Sequence, residues 1–277
     1  MSRRDLAGKV VLITGAGGGL GAALARRYAA AGAQIAAMDV DVGSLTALVV
    51  ALREGGARAL ALPGDIADPA SGKAAVAQTL AHFGGLDGLI NNAGISHRSL
   101  LSDTDPEVIR RVMEVNFFGA FNLTQAALAP IVARRGFIVA ISSVAGFAPL
   151  IGRTGYAASK HALHGFFDSL RSEVEAQGVG VTLVCPSFIR TGIGAMATDG
   201  AGAPVSSPRI TPGGESSPEE IASRIFDAVA EGRTLLLPDH TARKAWWLSR
   251  LAPGLYARIM KRRVGGEFSP RPRQDGF

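Results

Sequence analysis

The sequence has a single cysteine, Cys185, so no intramolecular disulfide is possible and a reducing compartment is expected. Cys185 lies in an apolar, strand-like run and reads as a buried inert thiol. No apolar run approaches the ~18–20 residues that a membrane-spanning helix needs. The start, Met1-Ser-Arg-Arg4 followed by Val10-Val-Leu-Ile13, superficially resembles a signal peptide. Its apolar part is short, however, and runs into a glycine loop instead of a cleavage site. A cytoplasmic protein is therefore expected. The five histidines form no metal set: His161 and His164 share a helix face without a third ligand at suitable spacing, so no metal is expected. Both read as interface or surface residues, and for His97, just after the Asn91–Gly94 turn, a place at the border of a cleft is the lesser alternative. No internal repeat and no linker divides the chain into two folding units.

Net basic charge is missing from most of the chain. Of the net +6, the segment from Arg243 onward holds nine Lys and Arg against Glu267 and Asp275, so the body before it carries −1. The body has no basic stripe with interleaved aromatics, and no nucleic-acid partner is expected.

What is present is a chain of 277 residues, enough for one large α/β domain with a full core. Val10–Thr14 is a short β-branched run, as a buried parallel strand should be. It feeds Gly15-Ala-Gly-Gly-Gly-Leu-Gly21 and a helical pattern over Leu20–Ala31. Strand, glycine loop and helix together form the setting of a dinucleotide fingerprint: glycine lets the backbone approach a pyrophosphate, and the helix N-terminus offers free N–H groups. The next strand, Gln34–Met38, ends at Asp39, eighteen residues past Gly21 and close to the ~20 expected for an acid on the adenosine ribose. A carboxylate there repels a 2′-phosphate, and the loop has no Lys or Arg to neutralise one. NAD is expected in preference to NADP. Asp39 could instead cap the following helix, and Asp41 competes for either role.

Further helices are predicted over 44–54, 69–83, 106–135, 156–177 and 218–231, and further strands over 57–62, 86–90, 137–142, 179–185 and 235–237. This alternation implies a parallel doubly wound sheet with right-handed crossovers, in which ligands bind outside the carboxyl ends of the strands. Gly64-Asp65-Ile66, Asn91-Asn-Ala-Gly94, Ser142-Ser143 and Pro186–Thr191 all fall at such ends. Asn116 lies inside a helix, where its side chain can bend the helix or hold a water.

Tyr156 and Lys160, at i and i+4, share one helix face, with Ser143 thirteen residues upstream. A phenol with pKa near ~10 is a poor proton carrier at neutral pH. An ammonium a few ångströms away lowers that pKa and makes the tyrosine a general acid/base. Residues 192–217 are rich in Gly, Pro, Ser and Thr and read as a mobile substrate loop.

Together these motifs resemble the short-chain dehydrogenase/reductase family, in its cytosolic form of about 250 residues. The carriers are Thr14–Gly21 for TGxxxGxG, Asp65, Asn91–Gly94, Asn116, Ser143, the Tyr156/Lys160 pair and the Pro186–Thr191 turn, in the family's order over about residues 6–238. The resemblance implies a Rossmann sheet of about seven strands in the order 3-2-1-4-5-6-7. It implies Tyr156 as catalytic acid/base, Ser143 polarising the substrate oxygen, Lys160 on the nicotinamide ribose, and Asn116 holding a relay water. Cofactor contacts are expected from Gly15, Gly17, Gly18, Gly19, Leu20, Gly21, Asp39, Asp65, Ile66, Asn92, Ala93, Gly94, Tyr156, Lys160, Ile189 and Thr191. A homodimer or homotetramer is also implied. The family's usual Pro-Gly is here Pro186-Ser187, and the chain runs about 40 residues past the last strand, which bears on the tetramer.

The substrate-facing candidates beside Ser143 are apolar: Ile95, Phe147, Leu150, Ile151, Phe188 and Ile193. The expected reaction interconverts a secondary alcohol and a ketone on a bulky apolar substrate, of steroid, retinoid or long-chain alcohol type. A 3-oxoacyl-thioester reductase using NADPH is the alternative enzyme, and a non-catalytic nucleotide-sensing protein the alternative from another class. Residues 1–238 read as the catalytic domain and 239–277 as a basic amphipathic extension in which Trp247, Leu251, Leu255 and Ile259 share an apolar side. Two short helices folded over the cleft or a neighbouring subunit, and a helix making peripheral membrane contact, both fit that pattern.

Overall fold

The computed structural model describes residues 3–190, 197–205, 211 and 213–268. The first strand, β1 (Val10–Thr14), is buried along its whole length, so its uniformly apolar sequence is flanked by protein on both sides. With β2 (Gln34–Asp39), β3 (Ala59–Pro63), β4 (Gly88–Asn91), β5 (Phe137–Ile141), β6 (Gly180–Val184) and β7 (Leu235–Leu236) it builds one seven-stranded sheet. The order is β3-β2-β1-β4-β5-β6-β7, and every pairing is parallel. This is the expected Rossmann-type architecture. The order reverses between β1 and β4, which opens a crevice at their carboxyl ends.

Two apolar layers sandwich the sheet. On one face lie α1 (Gly19–Ala30), α2 (Val42–Glu54) and α7 (Pro218–Ala230), contributing Leu24, Leu48 and Ile225. On the other lie α3 (Pro69–Phe83), α5 (Gly119–Ala133) and α6 (Thr154–Val174), contributing Val76, Leu123 and Phe167. Leu24, Leu123 and Phe167 have no exposed surface, and each contributes roughly 1.5–3 kcal/mol by burial. Short polar side chains start the helices. Asp41 accepts from Gly43 and Ser44 N–H for α2, Asp68 from Ala70 and Ser71 N–H for α3, and Ser217 from Glu220 N–H for α7. Asp41, not Asp39, is thus the cap.

The single helix expected over 106–135 is interrupted. It consists of α4 (Pro106–Met113), a π turn over Glu114–Phe118, and α5. By length and composition alone, Pro106–Ala133 is apolar enough to cross a membrane, although 44% of its most apolar window is buried inside the protein. Its buried residues Leu123, Ala127 and Ile131 face the sheet's core.

The extension folds as α8 (His240–Leu251) and α9 (Pro253–Val264), closed by a 3-10 turn at Gly265–Phe268. Ala245 and Tyr256 are buried with Ala148, and Val144, Phe147, Leu248 and Met260 pack around them. The rings of Phe147 and Trp246 meet edge to face at 4.9 Å. One face of the extension therefore lies on the loop that follows β5.

Candidate active site

The crevice is built from β1 outward. Gly15 has φ +63, and a Cβ there would meet Ala93 Cα at 2.9 Å. A Cβ on Gly21 would collide with the Gly15 carbonyl oxygen. The loop and helix can pack this closely only with glycine at both positions. Asn92 locks the arrangement from β4: its Nδ2 donates to Thr14 O at 2.9 Å and Gly15 O at 3.1 Å. The Asn92 and Ala93 N–H groups both donate to Thr14 Oγ1 at 3.0 Å.

The N-terminus of α1 differs from those of α2, α3 and α7. Gly18 provides no side-chain cap, the first turn holds no acid, and an added Cβ on Gly18 would meet nothing within 4 Å. The amides of Gly19, Leu20 and Gly21 open this helix, whose partial positive charge suits a pyrophosphate. Asp39 stands at the carboxyl end of β2; its Oδ2 accepts from Gly17 N–H at 2.8 Å and its Oδ1 from Asp41 N–H at 2.9 Å. The acid is thereby tied to the glycine loop itself. Asp65, past the end of β3, accepts from Ala67 N–H at 2.9 Å and Arg111 Nη2 at 2.8 Å. Burial pushes the Asp65 carboxyl up, but those two donors outweigh it and hold it below the ordinary value. Ile66 is buried where α5 begins, and a Cβ on Gly119 would touch it. The donor set therefore fits a dinucleotide.

The second half of the crevice lies at β4, β5 and α6. Lys160 is 3% exposed, and its Nζ donates to Ile141 O at 2.9 Å. The same Nζ stands 5.6 Å from the Tyr156 ring centroid and would lie 3.5 Å from a Cβ on Gly94. Burial pulls the Lys160 ammonium down to about 8, so it stays mostly protonated at pH 7. Cys185 is buried and its thiol is pushed up to about 12, which leaves it uncharged. Ser143 opens a 3-10 turn over Val144–Gly146, its Oγ accepting from Ala145 N–H at 3.2 Å, and α6 packs against that turn.

The π turn has a specific cause. Asn116 is 1% exposed; its Oδ1 accepts from Ile95 N–H at 2.8 Å, and its Nδ2 donates to Ile95 O at 3.0 Å and Ser159 Oγ at 2.9 Å. One side chain thus ties the β4 loop to α6, in a widened turn of the kind found at functional sites.

The model of the short chain dehydrogenase family matches residues 9–201. The chain belongs to the short-chain dehydrogenase/reductase family. Dehydrogenase/reductase SDR family member 7B of Mus musculus is 39% identical over 272 residues, spanning 96% of this chain and 84% of that one. The dehydrogenase/reductase SDR family protein 7-like of Anopheles gambiae is 40% identical over 268 residues, 94% and 84% of the two chains. The crystal structure of a short chain dehydrogenase/reductase from Burkholderia phymatum in complex with NAD matches with TM-score 0.82 at 28% identity, over 91% of this chain and 96% of that one. The protein is an NAD(P)-dependent oxidoreductase, and a nicotinamide dinucleotide is its cofactor.

The fold gives the remaining candidate residues of this dehydrogenase the following surroundings. His97 does not border an open cleft: it is fully buried, and its Nε2 accepts from Gly155 N–H at 2.9 Å. His164 is half-buried; its Nε2 contacts Ser142 Oγ at 3.0 Å and Cys185 Sγ at 3.5 Å. Ile95 is held through its backbone by Asn116, and Leu150 and Ile151 are half-buried on the loop after β5. Phe147, on the same loop, is engaged by Trp246 of the extension. Phe188 and Ile189 follow β6, where Ser216 N–H donates to Phe188 O at 2.9 Å. Thr191 and Ile193 lie outside the described residues. The described part of the expected mobile loop is tethered: Arg98 N–H donates to Thr198 O at 2.7 Å and Asp105 N–H to Gly200 O at 2.7 Å.

One contact has no counterpart in the sequence reading. Asp239 accepts from Ser187 N–H at 2.9 Å and Ser187 Oγ at 2.7 Å while capping α8 through Ala242 N–H at 2.8 Å. The signal was the departure at Ser187: the serine gives the turn after β6 a hydroxyl that grips the extension. Among the described residues no group of three or more His, Cys, Asp or Glu is placed to hold a metal ion.

Proposed function

We propose that the protein interconverts a secondary alcohol and a ketone on a bulky apolar substrate using NAD(H), with Tyr156 as the proton-transferring group. The observation that carries this reading is the buried Lys160 side chain, whose Nζ stands 5.6 Å from the Tyr156 ring. A cation there stabilises a phenolate oxygen, so Tyr156 Oη can take a hydroxyl proton or return one to a carbonyl oxygen near neutral pH. Ser143 Oγ, at the mouth of the β5 turn, orients that substrate oxygen by hydrogen bonding. Lys160 Nζ holds the nicotinamide ribose as well. The Asn116 side chain is committed to Ile95 and Ser159, so a relay water would rest on the backbone of the π turn. NAD, when bound, supplies the hydride acceptor and NADH the donor.

The preference for NAD rests on Asp39, whose carboxylate ends β2 with no Lys or Arg in the glycine loop. The apolar substrate rests on Leu150, Ile151 and Phe188, half-buried side chains around the same strand ends. For subunit assembly, the exposed Phe118 on the π turn and the half-buried Phe121 on α5 and Phe166 on α6 support a homodimer or homotetramer. A cytoplasmic setting rests on the lone buried thiol.

The test is Tyr156→Phe, assayed on a panel of hydrophobic secondary alcohols with NAD. Turnover should fall by about 10²–10⁴-fold, the usual worth of general acid–base catalysis, with NAD affinity unchanged. Full turnover in the variant, or activity confined to small acidic substrates, would overturn the reading.

A further inference from the structure

The two faces of the C-terminal helices differ in kind. The inner face is buried on the loop after β5 through Ala245 and Tyr256. The outer face carries Trp247, Leu251 and Leu255, which are 62%, 77% and 48% exposed. Trp247 and Leu251 stand one turn apart on α8 as an apolar ridge, and Leu255 is exposed just past the break at Ala252, in the first turn of α9. Ile259, expected on the same side, is half-buried instead.

The charge around the ridge has one sign. Between His240 and Val264 there is no Asp or Glu, while exposed Arg243, Lys244, Arg258, Lys261, Arg262 and Arg263 flank the apolar residues. Among the described residues, none of these six cations has a carboxylate partner within ion-pair distance. Arg243, Lys244 and Trp247 also border a shallow groove of about 550 Å³ with Leu248 and Leu251.

This charge selects among occupants. A second copy would set the same cations against each other. The chain's own residues 269–277 add Arg271 and Arg273 against Asp275 and so bring net positive charge. An anionic lipid surface offers both what the cations need and what the ridge needs: acidic headgroups above an acyl boundary where Trp and Leu are favourable.

We propose that α8 and α9 lie side-on against an anionic phospholipid bilayer, with Trp247, Leu251 and Leu255 in the headgroup–acyl boundary and the flanking cations among the headgroups. The assignment stands on the docked extension and does not depend on the chemistry assigned to Tyr156. The loop carrying Phe147, Leu150 and Ile151 then lies beneath α8, one helix diameter (about 10 Å) from the membrane plane.

The experiment is co-sedimentation of the full chain with vesicles of phosphatidylcholine alone and of phosphatidylcholine containing about one third phosphatidylserine, at low and high salt. The variants are Trp247→Ser/Leu251→Ser/Leu255→Ser and Arg258→Gln/Lys261→Gln/Arg262→Gln. All six positions lie on the exposed side of the extension, so NAD binding should be unchanged and reports that each variant is folded. Wild type should bind the phosphatidylserine vesicles at low salt. Binding should drop by at least about tenfold in either variant, on phosphatidylcholine alone, or at high salt. The proposal is overturned if wild type stays in the supernatant, or if binding is indifferent to the variants. It is also overturned if light scattering without vesicles shows self-association that the triple serine variant abolishes, which would assign the ridge to a second copy.

Discussion

His97 shows how one side chain can set the geometry of a catalytic helix. Its Nε2 accepts the Gly155 N–H at the start of α6, a donor that the N-cap residue Arg153 leaves without a side-chain acceptor. The ring proton is therefore on Nδ1, directed at Ser99 Oγ at 3.2 Å, and the line continues through Thr104 Oγ1 to Leu100 O. A second ring proton would face the Gly155 donor. Burial and the nearby Arg153 hold the His97 pKa below its usual value, and burial does the same for His164. The unfolded chain therefore takes up these protons first. Stability is full above about pH 6.5 and falls as pH drops from there through the window down to the lowered values. Urea midpoints measured between pH 7 and pH 5 should show that fall, and His97→Gln, whose amide oxygen can still accept from Gly155, should flatten it. His97→Ala leaves the Gly155 donor unsatisfied, costs about 1–3 kcal/mol, and should lower kcat more than it raises the KM for NAD. Asp39 gives a second test at this scale: Asp39→Ala removes the carboxylate that repels a 2′-phosphate. The ratio of kcat/KM for NAD over NADP should fall by about tenfold or more, and an unchanged ratio would remove Asp39 from cofactor choice.

At the scale of the element, strand, loop and cap signals were legible because they are local. Val10–Thr14 and Pro69–Phe83 appear with the expected bounds, and Ser217 caps α7 as its sequence indicates. The misplaced ends have tertiary causes. Leu86 and Asp87 read as strand; β4 is registered from Gly88, although Asp87 N–H already donates to Val10 O and Asp87 O accepts from Phe137 N–H, both at 2.9 Å, with the Asp87 carboxylate held by Val10 N–H and Lys9 Nζ. The break between α4 and α5 was invisible for the same reason: Asn116 reaches partners 21 and 43 residues away. The positions of the glycine loop, Asp39, Asn92 and Ser143 at strand ends, and of Tyr156 and Lys160 on one helix, were legible from residue pattern and spacing, while the roles expected of Ser143, Asn92 and Lys160 came from the family resemblance. His97 and Asp239 were not, since each acts on a segment more than 50 residues distant. For Asp239 the consequence is measurable. Asp239→Ala removes an N-cap and two bonds to Ser187, should cost about 2–4 kcal/mol, and should raise hydrogen exchange across 240–264 before it does so in β1 or β5.

For the molecule as a whole, among the described residues, the two large apolar clusters contain no residue of the extension, which contributes only to the small cluster around Ala148. The extension is thus an addition to a finished core. A chain ending after Leu237 should keep NAD affinity within about threefold while its thermal midpoint falls as Phe147 and Ala148 are uncovered. The turn after β6 belongs to both parts: Asp239 grips Ser187, and two residues further on Ile189 stands among the expected cofactor contacts. Reciprocity follows by thermodynamic necessity. If a docked tail sharpens affinity for the dinucleotide by some factor, the dinucleotide tightens the tail by that same factor. Coenzyme saturation would then slow protease cleavage at Arg243 and Lys244, so that occupancy at one end of the protein is legible as quiescence at the other.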